Sequence, residues 1–150
     1  MAEGILQDLH NDHEEVAKLI DGIMESEDGR QRGTLFKEMM TKLLAHSKAE
    51  AEVLYAPMKK SDDEEVRAFA LEGENEHKHV ETQLKDMAGA TSKTTEQWTA
   101  KLTVLKELVE HHVDEEESTG FKCARAEFDK ATLDKMGPQF ERLKKKEMAA

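Results

Sequence analysis

Four stretches of the chain repeat apolar residues at the spacing of one helix face, and each carries a histidine on that face. The first runs Ile5, Leu9, Val16, Ile20, Ile23, with His13 in the missing position. The second runs Phe36, Met39, Leu43, His46, Glu50, Val53; the third Val66, Phe69, Gly73, His77, Val80, Leu84, Met87; the fourth Trp98, Leu102, Leu105, Val109, His112, Glu116. A polar group on an otherwise apolar stripe must find a partner when that stripe is buried, so these stretches constrain fold and chemistry together. Asp28-Gly29 breaks the first helix, Thr34 is the expected cap of the second, and Pro57 ends it. Ser61 to Asp63 cap the third and Gly89 lies just past its end, while Thr94 or Thr95 caps the fourth and Ser118-Thr119-Gly120 stops it. From Phe121 the chain reads as shorter helical pieces, with Pro138 as first residue of a terminal helix. The expectation is an all-α, up-down antiparallel four-helix bundle over about residues 3–118, with short C-terminal helices over about residues 121–147, in a single domain of residues 1–150.

Composition agrees with long amphipathic helices: 37% of the 150 residues are apolar, 37% are charged, and two are proline. A net charge of -11 argues against a nucleic-acid partner, which needs basic surface to displace counterions. The run Lys144-Lys145-Lys146 reads as the solvated end of a last helix. Cys123 is alone, which fits a reducing compartment. No stretch approaches a membrane span, and the N-terminus turns acidic at once, so a cytoplasmic location and no membrane partner are expected. A monomer or weak homodimer is the expected state.

The pattern repeats internally. His46 with Glu50 and then Tyr55 matches His112 with Glu116 and then Phe121; His13, Val16, Ile20 matches His77, Val80, Leu84. The chain thus reads as two related helix pairs about a pseudo-twofold axis. Residues i and i+4 lie about 40° apart on a helix, so each His-x-x-x-Glu pair aims both groups the same way. A carboxylate in a core costs several kcal/mol unless compensated, and no Lys or Arg on these stripes is placed to pair with Glu50 or Glu116. A bound cation removes that penalty and uses the imidazoles too. Any one such histidine is more often a satisfied core residue; the set, two of them with Glu at the same offset, points to a two-metal centre of mixed N and O donors. The candidate ligands are His13, His46, Glu50, His77, His112 and Glu116. His79 is about 200° around the helix from His77, and His111 about 100° from His112, so both read as surface; His10, about 60° from His13, reads as rim. Tyr55 falls nine residues after His46, which on an ideal helix leaves it on the opposite side. It stays open between an aromatic end-cap and a ligand or hydrogen-bond donor to the centre. Cys123 reads as a small buried hydrophobe.

On the residues Asp12-His13-Glu14-Glu15-Val16, His46-Ser47-Lys48-Ala49-Glu50 through Tyr55, Glu76-His77, and His111-His112-Val113-Asp114-Glu115-Glu116-Glu117, the sequence resembles the bacterial hemerythrin-like proteins of the HHE cation-binding class. The resemblance covers about the first 120 residues. It implies a left-twisted four-helix bundle with two iron ions in an oxo- and carboxylate-bridged non-heme centre. By that resemblance His13, His46, His77 and His112 are terminal ligands, and Glu50 and Glu116 bridge. Two positions depart from the oxygen carriers of that class, which have a His-x-x-x-His pair on the third helix and an aspartate after the last histidine. Here those positions hold Gly73 and Glu116.

The implied function is therefore to act on or sense dioxygen or peroxide, with oxidase- or catalase-like turnover, rather than bulk oxygen carriage. The alternative is iron binding, iron sensing or oxygen storage without turnover. Manganese and zinc suit the same donors. A ferritin-like centre is disfavoured because Glu-x-x-His is needed on two helices, and Glu74-x-x-His77 and Glu76-x-x-His79 overlap on one.

Overall fold

The computed structural model describes residues 4–150, most of them helical, with no strand among the described residues. The expected start of the bundle at about residue 3 lies outside them. In chain order the elements are α1 (Gly4–Glu25), α2 (Gly29–Glu50), a π-helical segment π1 (Ala51–Tyr55), α3 (Ala56–Met58), α4 (Glu64–Ala88), α5 (Glu96–Glu115), a second π-helical segment π2 (Glu116–Gly120), α6 (Phe121–Glu127) and α7 (Lys130–Ala149). Helix α1 packs along α2, and α4 along α5; α7 lies against both α1 and α2. No helix of the described residues is long and apolar enough to cross a membrane.

Capping residues set most of the boundaries. Asp63 accepts from the Glu65 N–H and Thr95 from the Trp98 N–H, each with extended backbone at the cap. The second helix starts earlier than the sequence suggests. Asp28 is its cap, accepting from the Arg30 N–H at 3.1 Å, whereas Thr34 lies inside the helix and its hydroxyl donates to the Arg30 carbonyl. An aspartate able to cap further upstream wins the boundary.

Of two further boundaries, one holds and one dissolves. The chain does leave the helix one residue after Pro57, but only once π1 has carried it on to Met58; π2 likewise carries it past Ser118-Thr119-Gly120 into α6. The terminal helix is not short: α7 spans 20 residues, is capped by Asp129 through the Thr132 N–H, and has Pro138 in its interior instead of at its start. An interior proline costs about 3 kcal/mol. Burial of Leu133, Met136 and Phe140 against the bundle, each worth about 1.5–3 kcal/mol, offsets that cost.

The core falls into two apolar blocks. One contains Val16, Ile20, Ile23, Phe36, Leu84 and Trp98; the other contains Leu9, Leu54, Tyr55, Phe69, Phe121 and Phe140. Every histidine-bearing helix crosses from one block to the other at its histidine: Leu9 and Val16 flank His13, Leu43 and Leu54 flank His46, Ala70 and Val80 flank His77, Val109 and Phe121 flank His112. The polar layer between the blocks is the site.

Candidate metal centre

All six candidate residues meet in that layer. Glu50 and Glu116 have no solvent exposure, and His13, His46 and His112 are buried; His77 is slightly open. Two trios bring one ligand atom each to within 4.8 Å of the others: His13, His46, Glu116, and Glu50, His77, His112. The glutamates also reach across. Glu50 Oε1 is 3.1 Å from His77 Nε2 and 3.5 Å from His46 Nε2; Glu116 Oε1 is 3.2 Å from His13 Nε2, and its Oε2 is 3.4 Å from His112 Nε2. Donors about 2.1 Å from one cation at right angles to each other stand about 3 Å apart, so these spacings suit shared ions.

The unpartnered atoms give a sharper test of fit. Among the described residues, the buried side-chain N and O atoms without a hydrogen-bond partner are His13 Nε2, His46 Nε2, His77 Nε2, His112 Nε2, both oxygens of Glu50, and Glu116 Oε1. Every one belongs to a candidate ligand. Buried polar atoms are rarely left unpaired in native proteins, and seven collected in one layer are a donor set suited to a cation. The donors fit a metal-ion site.

Three of the four imidazoles are held from behind. His13 Nδ1 lies 2.7 Å from Glu117 Oε2, His46 Nδ1 2.8 Å from Asp12 Oδ2, and His112 Nδ1 2.8 Å from Glu76 Oε1. Such contacts fix the ring so that Nε2 faces inward. His77 instead stacks on Tyr55, centroids 5.2 Å apart. The helical pattern of the sequence does not single out these carboxylates. Each adjoins a candidate ligand in the chain (Asp12 before His13, Glu76 before His77, Glu117 after Glu116) yet serves a histidine on a different helix, which only packing reveals. His10 lies at the rim, 2.8 Å from Glu117 and 3.0 Å from Glu14, while His79 and His111 are exposed.

Tyr55 is fully buried and its hydroxyl donates to Glu116 Oε2 at 2.5 Å. The ideal-helix angle misplaces it because of π1. A π turn inserts one extra residue, so every later position lags by about 100°, and Tyr55 ends about 80° from His46 instead of opposite it. Room for its ring comes from Gly73, where a Cβ would stand 2.7 Å from both Cζ and Oη of Tyr55. The position that holds a histidine in the oxygen carriers is therefore filled by a phenol from another helix.

In the metal-free protein the trapped charges compensate one another. Burial pulls the His46 imidazole down, but the carboxylates of Asp12 and Glu50 outweigh it and push the group up to about 9. Burial likewise opposes protonation of His112, and Glu116 and Glu76 overcome it, raising the group to about 11. Burial would raise Glu116, yet the imidazoles of His112 and His13 hold it well below the carboxylate range. Burial and then the charges of Glu116 and Glu50 push the Tyr55 phenol well above its usual value, which keeps it a donor. Protons on the imidazoles stand where cations would otherwise sit.

A small cavity of about 20 Å³ adjoins the imidazoles on the side of the first apolar block, walled by Val16, Leu43, Val80 and Val109. Cys123 is buried in the other block, where burial raises its thiol.

Among known families, the hemerythrin HHE cation-binding domain matches residues 4–124. A protein named DNA nickase from Nostoc sp. (strain PCC 7120 / SAG 25.82 / UTEX 2576) is 27% identical over 142 residues, covering 92% of this chain and 38% of its own length. The chain thus spans well under half of that relative. No solved structure matches.

Proposed function

The chain belongs to the hemerythrin HHE cation-binding family, and from that premise we propose that it is a non-heme diiron protein that consumes or senses dioxygen or peroxide and does not carry oxygen in bulk. The observation that carries this reading is the set of seven buried, unpartnered ligand atoms on six side chains. His13 and His46 would hold one ion, His77 and His112 the other, with Glu50 and Glu116 between them as bridges. The surrounding helices are read as an up-down four-helix bundle with α7 laid alongside. Iron bound there supplies electrons and exchangeable coordination positions for reducing dioxygen or peroxide.

The protein's own groups limit what reaches the centre. A cavity of about 20 Å³ has room for a water-sized or diatomic molecule and no organic substrate. Its valine and leucine walls offer few partners to water, so that side of the pocket favours an apolar diatomic gas over bulk solvent. Tyr55 keeps a proton at Oη directly beside Glu116 and fills the place of the absent third-helix imidazole. With four imidazoles and two carboxylates as donors, each ion would keep a position open to a small molecule unless the Tyr55 phenol took one of them, an arrangement that would favour reaction over reversible release. If the ferric protein has a tyrosinate-to-iron absorption band that Tyr55→Phe removes, Tyr55 is also a ligand.

The activity in the Nostoc relative's name is not carried over, because the chain spans 38% of that protein and has a net charge of -11. Iron binding or oxygen storage without turnover draws on the same donors. The two readings separate on mixing the reduced, iron-loaded protein with air-saturated buffer, or the oxidised protein with hydrogen peroxide, while dissolved oxygen is followed. Irreversible oxygen uptake and loss of peroxide support the proposal. Uptake that reverses on degassing, with peroxide untouched, makes the protein a store.

A further inference from the structure

The two histidines that sit in matching His-x-x-x-Glu pairs are supported unequally. Asp12 and Glu76 occupy equivalent places in the repeat, each just before a candidate ligand, and each fixes the Nδ1 of the histidine on the next helix. Glu76 is partly exposed, and its other oxygen ends 3.5 Å from the solvent-exposed His111. Asp12 is buried, and its Oδ1 accepts at 2.7 Å from Lys144 Nζ, which comes from α7. Lys144 also approaches Glu141 at 3.3 Å and lies over the Phe140 ring.

Helix α7 is seated closely enough to hold that contact in place. Gly137, Phe140 and Lys144 stand at i, i+3 and i+7, one stripe of the helix. At Gly137 the helix approaches α1 so closely that a Cβ would stand 3.0 Å from Asp8 Oδ2 and 3.4 Å from the Gly4 carbonyl carbon. Phe140 is fully buried with its ring edge-on to the His46 imidazole, centroids 5.5 Å apart. One stripe thus touches the His46 ring directly through Phe140 and indirectly through Lys144 and Asp12. Both residues lie beyond residue 124, where the family match stops.

We propose that Lys144 is a positioning residue of the metal centre: its ammonium pins the Asp12 carboxylate, which fixes the His46 imidazole with Nε2 aimed at the ion shared with His13 and Glu116. The C-terminal helix is then part of the binding site, and it acts on one ion of the two. Without the ammonium a buried carboxylate loses its counter-charge, swings toward water, and leaves His46 free to rotate. Partners of this outer kind change metal retention by about 10- to 100-fold.

This inference rests on the two-ion reading proposed above, and the test separates the two. Full-length wild type, Lys144→Met, Lys144→Arg and Glu141→Gln are loaded anaerobically with iron(II) and mixed with excess chromogenic iron(II) chelator. Fewer than two ions from wild type would defeat the two-ion reading, whatever the variants do. With two ions present, Lys144→Met should release one at least about ten-fold faster than wild type and the other at the wild-type rate. Lys144→Arg should restore the slow phase because it keeps a cation beside Asp12, and Glu141→Gln should match wild type. A general loosening of the bundle would speed both ions alike, and that result, or no change in either, overturns the proposal. If Lys144→Met does not fold, Lys144→Gln is read the same way; failure of both to fold makes Lys144 purely structural and likewise overturns it.

Discussion

The two halves of the site share a plan and differ in what stands behind it. In the half containing His13 and His46, the imidazoles rest on Glu117 and on a buried Asp12 tied to α7. In the half containing His77 and His112, one ring stacks on Tyr55 and the other rests on a Glu76 that opens to the surface. The candidate ligands and the carboxylates Asp12 and Glu76 obey the repeat; what stands behind those carboxylates, and the ring stacked on His77, do not. The pair Tyr55 and Gly73 shows why. Their counterparts in the repeat are Phe121 and Leu9, a ring without a hydroxyl and a larger side chain, both in the same apolar block. Glycine in place of leucine opens space at one end of the layer, and a phenol takes it. A symmetric set of candidate ligands thus stands in asymmetric surroundings, set by one glycine and one C-terminal helix.

Removing a ligand should have the largest effect. His46→Ala or His112→Ala leaves a buried carboxylate without its ion, a loss of about 3–5 kcal/mol, so at least one ion should be lost and the melting temperature should fall by about 10 °C. Metal analysis and calorimetry on the same samples check both. Ligand variants on the two sides that lose both ions together would break the division into halves.

Gly73→Ala tests the glycine. In a helix interior this exchange normally stabilises by up to about 1 kcal/mol. Here the added methyl collides with a buried ring, so it should destabilise by about 1–3 kcal/mol and displace Tyr55. Denaturant melts give the sign. A stabilised variant would mean that Tyr55 does not depend on this space. The same crowding means that Gly73→His cannot simply restore an imidazole.

Acidity offers a third test. In the metal-free protein His46 and His112 are raised above their unfolded value of about 6.5, to about 9 and about 11. Their contribution is therefore complete below about pH 6.5 and is lost as pH rises through about 9 and then about 11. Bound ions replace those protons, so the gap in melting temperature between loaded and stripped protein should widen from about pH 6 to about pH 9. Melting curves of both forms across that range check it; a gap that narrows would place compensating charge elsewhere.

A smaller effect is expected of Tyr55→Phe in the stripped protein, about 1–2 kcal/mol for the lost bond to buried Glu116. The smallest belongs to the outer histidines. His79→Ala or His111→Ala should change stability by no more than about 0.5 kcal/mol and leave the metal content intact.

The sequence discloses whatever a single regular helix dictates. Stripe positions, the cap residues Asp63 and Thr95, and the inward histidines all depend on a fixed turn per residue, and the structure brings all six candidate residues into one layer. Features that break that regularity or join distant helices escape. Tyr55 is misplaced because a π turn shifts the phase after Glu50. Thr34 and Pro138 mislead because a neighbouring cap and tertiary packing override local preference. Asp12, Glu76 and Glu117 sit beside ligands in the chain but serve other helices. Lys144, in a run that reads as solvated, has its ammonium at 2.7 Å from a buried aspartate.

That the layer holds two cations among its unpartnered atoms is tested most directly by metal analysis of the chain after anaerobic reconstitution with iron(II) and removal of unbound metal. Two iron ions per chain are expected, falling to one or none in His46→Ala and His112→Ala. One ion per chain in the unaltered protein, or none, would contradict the two-ion centre.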